Sequence, residues 1–283
     1  MEVFSTSNGI REWVRSARTE RQTICLVPTM GYFHEGHLSL MREGKKRCDR
    51  VVTSIFVNPA QFGENEDLDA YPSDLERDKS LAKAEGVDAV FIPSADEMYP
   101  PGFQAYVDLS RIPAHLCGLS RPGHFKGVAT VVAKLFNIVE PDRAVFGSKD
   151  YQQLLVIRRM VKDLNFAITI EGAPIVREED GLAMSSRNTY LNAEQRSSAL
   201  SLSRSLDLAG DMIERGEVDA ETVVSEMEKL IRSHPGTQID YVKPCDPETL
   251  EKVETIRGPV LLALAVRLGR TRLIDNRIFH PAG

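Results

Sequence analysis

A chain of 283 residues is long enough to bury a core and to form two domains. Apolar residues make up 42% and charged residues 27%, an ordinary globular balance that argues against disorder. The net charge of −6 argues against a general nucleic-acid binder, because affinity for a phosphate backbone needs clustered cations.

Along the chain, Ile10, Trp13, Val14 and Ala17 repeat at helical spacing. Residues 23–28 (TICLVP) read as a buried strand, and 37–47 as a helix ending in a basic cluster. The β-branched run 51–57 (VVTSIFV) predicts a second strand, 74–85 a helix stopped by Gly86, and 88–93 a third strand. A helix over 127–139, a short strand over 144–147, a helix over 151–164 and a strand from 168 follow. Strands alternating with helices imply right-handed crossovers and a Rossmann-like, doubly wound parallel sheet with helices on both faces. Ligands collect at the carboxyl ends of such strands, which singles out the loops after Pro28, Val57 and Phe146.

After about residue 175 the rhythm changes. A polar loop (REEDGLAMSSRN) precedes helices over 193–215 and 221–232, the second capped by Asp219. Strands are expected over 239–242, 260–268 and 272–274. The fold class is therefore α/β over residues 1–175, with a second, smaller α+β domain over 176–283. Cys25, Cys48, Cys117 and Cys245 lie far apart without a CxxC pair, which indicates free thiols in a reducing compartment. No signal-peptide pattern opens the chain and no stretch reaches about 18 apolar residues, so a cytoplasmic protein with no membrane partner is expected.

Two motifs carry chemistry. In Pro28-Thr-Met-Gly-Tyr-Phe-His-Glu-Gly-His37, His34 and His37 flank Gly36 at the start of a helix that follows a strand. Gly31 permits a sharp turn, and a helix starting here aims free N–H groups at an anion. Imidazoles at that place hydrogen-bond phosphate oxygens. The HxGH spacing resembles the HIGH signature of the nucleotidyl-transferase superfamily. About 150 residues later, Gly181-Leu-Ala-Met-Ser-Ser-Arg187 stands where that superfamily carries KMSKS, with Arg187 as the cation. Hydroxyls and a guanidinium on a mobile loop suit the charge that develops on leaving pyrophosphate.

Three further segments extend the likeness: Phe56-Val-Asn-Pro-Ala-Gln-Phe62, Arg121-Pro-Gly-His-Phe-Lys-Gly127 and Phe146-Gly-Ser-Lys-Asp-Tyr-Gln-Gln153. With the RLIDN run at 272–276, the ordered set resembles the pantothenate synthetase (pantoate–β-alanine ligase) family along nearly the whole chain. The resemblance implies activation of pantoate by ATP as an adenylate, attack by β-alanine, release of AMP and pyrophosphate, magnesium on the triphosphate, and a homodimer. It implies an ATP site at Met30, Gly31, Tyr32, Phe33, His34, Glu35, Gly36 and His37, with His37 and His34 catalytic. Gly147, Ser148, Lys149, Asp150, Val176, Met184, Ser185, Ser186 and Arg187 would complete it. Gln61 and Gln153 would hold pantoate; Gln61, Asn58 and Arg121 would serve β-alanine, with His124 a weaker candidate and Asp78 at the magnesium side. Ser148 departs from the family, which usually carries Glu there. Another adenylyl or cytidylyl transferase shares HxGH but has no need of the two glutamines.

Overall fold

The computed structural model describes residues 1–63 and 66–281. These divide into two compact units. The first holds Met1–Ser110, Arg121–Ser148 and Gln153–Pro174; the second holds Arg111–Ser120, Lys149–Gln152 and the chain from Ile175 onward.

In the first unit the strands are β1 (Glu2–Phe4), β2 (Ile24–Thr29), β3 (Arg50–Ile55), β4 (Ala89–Phe91), β5 (Arg143–Gly147) and β6 (Thr169–Ala173). Among the described residues they form one parallel sheet in the order β1-β4-β3-β2-β5-β6. From β2 the chain winds outward to β3 and β4, then returns to β5 and β6 on the other side of β2. That reversal puts the topological switch point between β2 and β5, the place where such sheets bind ligands.

Helices α1 (Ser7–Thr19), α2 (Glu35–Arg47), α3 (Leu75–Ala84), α4 (Ala95–Met98) and α6 (His124–Val139) belong to this unit. α5 (Leu116–Ser120) belongs to the second, and α7 (Tyr151–Asp163) starts there and continues in the first. The core beneath α2 and α3 gathers Cys25, Val27, Phe33, Met41, Val51, Val90 and Val145. Each buried aliphatic or aromatic side chain of this kind contributes about 1.5–3 kcal/mol. Asp74 caps α3; Gly86, at φ +74°, follows its end, as the sequence pattern indicates. β3 stops at Ile55, two residues short of expectation, because Asn58 there turns the chain into a 3₁₀ turn at Pro59–Gln61. α6 begins three residues earlier than expected, behind Gly123 at φ +83°.

The second unit holds α8 (Ala193–Glu214), α9 (Ala220–Arg232) and the antiparallel sheet β7 (Thr237–Cys245), β8 (Val260–Leu268), β9 (Thr271–Phe279). Leu202, Leu206, Val223, Met227, Leu262, Leu264 and Val266 lie in its core. Asp219 accepts the N–H of Thr222 and caps α9, as expected. β7 and β9 run longer than the short apolar segments suggest. Their ends carry polar residues, and a bulge between Ile239 and Tyr241 breaks the alternation in β7.

Candidate active site

The turn after β2 is held from beneath. Gly31 has φ +89° and Tyr32 φ +52°, so two successive residues sit in left-handed backbone. Asp78 of α3 stabilises them: its Oδ2 accepts from Tyr32 N at 2.6 Å and its Oδ1 from Phe33 N at 2.7 Å. A Cβ on Gly31 would stand 3.0 Å from Asp78 Oδ2 and Ile55 Cγ2, so glycine serves both conformation and space. Asp78 is 1% exposed. Burial pushes its carboxyl above the usual range, and the two amides offset this only in part. Its observed contacts support the backbone of this turn. Phe33, expected to line the nucleotide, is 1% exposed and belongs to the core.

His34 and His37 cap their own helix. His34 is the N-cap of α2 and its Nδ1 accepts from Gly36 N at 3.1 Å; His37 Nδ1 accepts from His34 N at 3.3 Å. The rings lie 4.1 Å apart between centroids. The expected free N–H groups are thus largely used by the imidazoles. Because both Nδ1 atoms accept, the hydrogen-bond pattern assigns both rings as neutral with the proton on Nε2. Glu35 pairs with Arg42 at the exposed side.

Beyond β3, Asn58 is 1% exposed and fully engaged. Its Nδ2 donates to Gln61 Oε1 (3.1 Å) and Gly127 O (3.2 Å), and its Oδ1 accepts from Tyr99 Oη (2.8 Å) and Ala60 N (3.3 Å). Asn58 thus braces this loop and contacts Gln61 within it. Gln61 Nε2 reaches Met30 Sδ at 3.2 Å. The loop can lie this close to α6 because residue 127 is glycine: a Cβ there would stand 2.1 Å from Ala60 O. Arg121 is paired with Glu66 through Nε at 2.6 Å and through Nη2, and Nη2 also donates to Gln61 O at 3.3 Å. His124 donates Nδ1–H to the same carbonyl at 2.8 Å, leaving Nε2 to face Arg121 Nη1 at 3.1 Å. Arg121 therefore carries a carboxylate partner already, and Glu66 is held below the usual carboxylate range: burial works against this, and the Arg121 guanidinium outweighs it.

After β5, a Cβ on Gly147 would meet nothing within 4 Å, so backbone is open to approach there. Ser148 is half-buried. The next residues separate two adjacent glutamines. Gln152, in the second unit, is 7% exposed and saturated by Cys117 N, Ile112 O and His115 O at 3.0, 2.9 and 2.8 Å. Gln153, in the first unit, is half-buried and its carboxamide makes no hydrogen bond among the described residues.

In the second unit, Lys149 is half-buried, makes no ion pair among the described residues, and its carbonyl accepts from Asn276 Nδ2 at 2.8 Å. Asp150 is exposed. Val176 O accepts from Met184 N at 3.0 Å, and Glu178 pairs with Leu182 around Gly181, at φ +93°. The MSSR motif thus starts at Met184, on the far arm of a small hairpin, and runs through Ser185 into a 3₁₀ turn at Ser186–Tyr190. Arg177 ties it to β9 through a bidentate pair with Asp275, at 2.7 and 2.9 Å. Met184, Ser185 and Arg187 are half-buried; Ser186 is 7% exposed and turned inward. Ser185 Oγ accepts from Arg187 N at 3.3 Å. The RLIDN run owes its place to Asp275 and Asn276, which the sequence flagged without a task.

Among the described residues no group of three or more His, Cys, Asp or Glu side chains is arranged to hold a metal. No helix among them is long and apolar enough to cross a membrane.

Residues 2–278 match the sequence model of the Pantoate-beta-alanine ligase family. A pantothenate synthetase of Desulforapulum autotrophicum is 62% identical over 281 residues, covering 99% of both chains. One from Moorella thermoacetica is 59% identical over 280 residues, again covering 99% of each. The crystal structure of pantothenate synthetase from Thermus thermophilus superposes with a TM-score of 0.93 at 45% identity, covering 98% of this chain and 99% of that one. Pantoate-beta-alanine ligase from Francisella tularensis, complexed with beta-gamma ATP and beta-alanine, superposes at 0.80 with 32% identity over 98% and 97% of the two chains. With a family match across almost its full length and relatives this similar, the chain belongs to the pantoate–β-alanine ligase family.

Proposed function

We propose how the pantoate–β-alanine ligase activity of this chain is divided among its residues. In the first half-reaction a pantoate carboxylate oxygen bonds to the α-phosphorus of ATP and the bond to pyrophosphate breaks. In the second, the β-alanine nitrogen bonds to the acyl carbon, AMP leaves with the C–O bond electrons, and the amine loses a proton. The observation that carries the assignment is the reciprocal capping of His34 and His37 at the carboxyl end of β2, beside the switch point. In this reading the two imidazoles are neutral, and their Nε2–H groups would donate to phosphate oxygens as charge moves toward pyrophosphate. Each holds its own proton in the cap arrangement, so the main role is charge stabilisation rather than proton delivery.

Gln61 and Gln153 are assigned to pantoate, since a carboxamide both donates to a carboxylate and accepts from a hydroxyl. Arg121 with His124 positions Gln61. Gly147 offers backbone to the nucleotide. In the second unit, Lys149, Ser185 and Arg187 are assigned to phosphate charge, Asp150 to a ribose hydroxyl and the Val176 backbone to adenine. Among the described residues the side chains do not make a metal cage of their own. Magnesium fits as part of the nucleotide substrate, held chiefly by phosphates as is usual for that ion. The domain boundary near residue 175, a homodimer and a cytoplasmic location complete the reading; light scattering that shows only a 31.6 kDa species would remove the dimer.

The test supplies pantoate, β-alanine and magnesium ATP, and follows AMP, pyrophosphate and pantothenate, expected in equal amounts. Without β-alanine, pantoate alone should support exchange of pyrophosphate into ATP. No exchange with pantoate, or exchange with unrelated acids instead, would overturn the assignment.

A further inference from the structure

A cavity of about 530 Å³ in the first unit has Ser7, Asn8, Arg11, Glu97, Lys134 and Asn137 among its lining residues. It shares no residue with the site described above. Two cations converge on it. Arg11 is half-buried and forms no ion pair or hydrogen bond among the described residues. Lys134 is half-buried on α6, where its ammonium lies 4.9 Å from the centre of the Phe103 ring and 5.9 Å from that of Tyr99.

Lys134 holds its proton less tightly than a free lysine does. Burial and the neighbouring Arg11 lower its proton affinity, and Glu97 opposes them. Glu97 is the carboxylate of the cavity, and its Oε1 accepts from Ser7 N at 2.8 Å. The lining therefore holds two positive groups against one negative group whose oxygen is already in use. The start of α1 adds positive potential. Like charges set together over a cavity, with donors from Asn8 and Asn137, favour an anion that bridges them.

We propose that this cavity binds a small anion through a carboxylate or phosphate oxygen group placed between Arg11 and Lys134. Arg11 supplies a planar pair of donors and Lys134 a point charge. The rings of Tyr99 and Phe103 lie beside the lysine ammonium and hold it at the cavity. The cation pair carries the proposal, and the helix start only supports it.

The test is nitrogen-15 NMR on the full chain, titrated with inorganic phosphate and, separately, with malonate. Saturable shifts of the Ser7, Asn8 and Gly9 amides and of the Arg11 side-chain N–H are expected with at least one of them; which one names the oxyanion. The variant R11Q/K134M keeps both aliphatic stems. It should weaken those shifts at least about tenfold, the loss of a pair of charge-assisted bonds. Shifts of Gly36 and Gly147 from phosphate at the catalytic site should persist, which separates this result from failure of the reading above. Shifts at Ser7–Gly9 that are absent or non-saturating with both anions, or equally strong in the double variant, would overturn the proposal.

Discussion

Two buried aspartates hold the two segments to which we assign the chemistry, and they do it differently. Asp78, 1% exposed, accepts two backbone N–H groups of the turn at Tyr32 and Phe33. Asp275, 2% exposed, accepts a guanidinium: Arg177 binds it bidentately and thereby ties down the hairpin that leads to Arg187. The first fixes backbone in a left-handed shape that no packing of side chains would impose. The second fixes a loop through a charge pair whose partner is a side chain. An anchor on amides places the histidines that follow it by geometry alone. An anchor on a charge leaves a charge behind when it is removed.

The largest effect tests the tip rather than either anchor. His37→Ala removes one Nε2–H donor and the cap on His34 N, and leaves Asp78 and Asp275 in place. Loss of one such donor slows the step it serves by about 10²–10³. Adenylate formation should slow by that factor, with a smaller loss in ground-state ATP binding. The second half-reaction, started from pantoyl adenylate, should suffer less because no pyrophosphate leaves. Rapid-quench measurement of both halves decides it. Adenylate formation at the parental rate in a folded variant means that the turn is not catalytic.

Next comes the charged anchor. Asp275→Ala leaves Arg177 without its partner, and breaking a buried pair costs about 3–5 kcal/mol. Arg177 keeps 24% of its side chain exposed, so the lower end, about 3 kcal/mol, is expected. Asp275→Leu with Arg177→Met should recover most of that, because no charge is then stranded. Urea midpoints at constant slope provide the measurement. A cost below about 1 kcal/mol for the single variant would show that solvent already serves the guanidinium.

Much of this was legible in the sequence. The alternation of five of the six strands with helices, the switch-point loops and the HxGH turn follow from period, punctuation and motif. β1 was not, because three half-polar residues at a sheet edge carry no periodic signal. The shared task of His34 and His37 in capping was missed, since capping-box patterns are written for Ser, Thr and acidic partners. The braces were illegible for a common reason. Tyr99 reaches Asn58 over 41 positions, Arg177 reaches Asp275 over 98, and neither spacing leaves a local trace. Asp78 looked like a candidate ligand because a lone helical carboxylate gives no hint of whether it faces solvent or a turn.

The adjacent glutamines extend the contrast between holding structure and meeting a ligand. Gln152 saturates three backbone groups, so Gln152→Ala should lower stability by about 1–3 kcal/mol and leave pantoate affinity nearly unchanged. Gln153 has no partner to lose, so Gln153→Ala should leave stability within about 0.5 kcal/mol. Its effect should fall on pantoate binding, weakened by about 1–3 kcal/mol, and not on ATP. Calorimetric titration with each substrate separates the outcomes. Equal losses for pantoate and ATP in Gln153→Ala would contradict the assignment.

The smallest expected effect reports the amide anchor itself. Burial raises the Asp78 carboxyl above its unfolded value of 3.8, with the hydrogen bonds from Phe33 and Tyr32 pulling the other way. Between those two values the folded chain binds more protons than the unfolded chain. The contribution of Asp78 to stability is therefore full below 3.8 and is lost as pH rises through the folded value. Asp78→Asn removes the titration while keeping one oxygen to accept from the turn. Its amide N–H then faces a backbone N–H, a fixed cost that does not vary with pH. The stability of the wild type relative to the variant should accordingly shrink as pH rises from 3.8 through the folded value, and then level off. Urea unfolding of both proteins across that range measures the slope. A difference that grows with pH would mean that the two amides outweigh burial, and that the carboxylate is stabilised by the turn it supports.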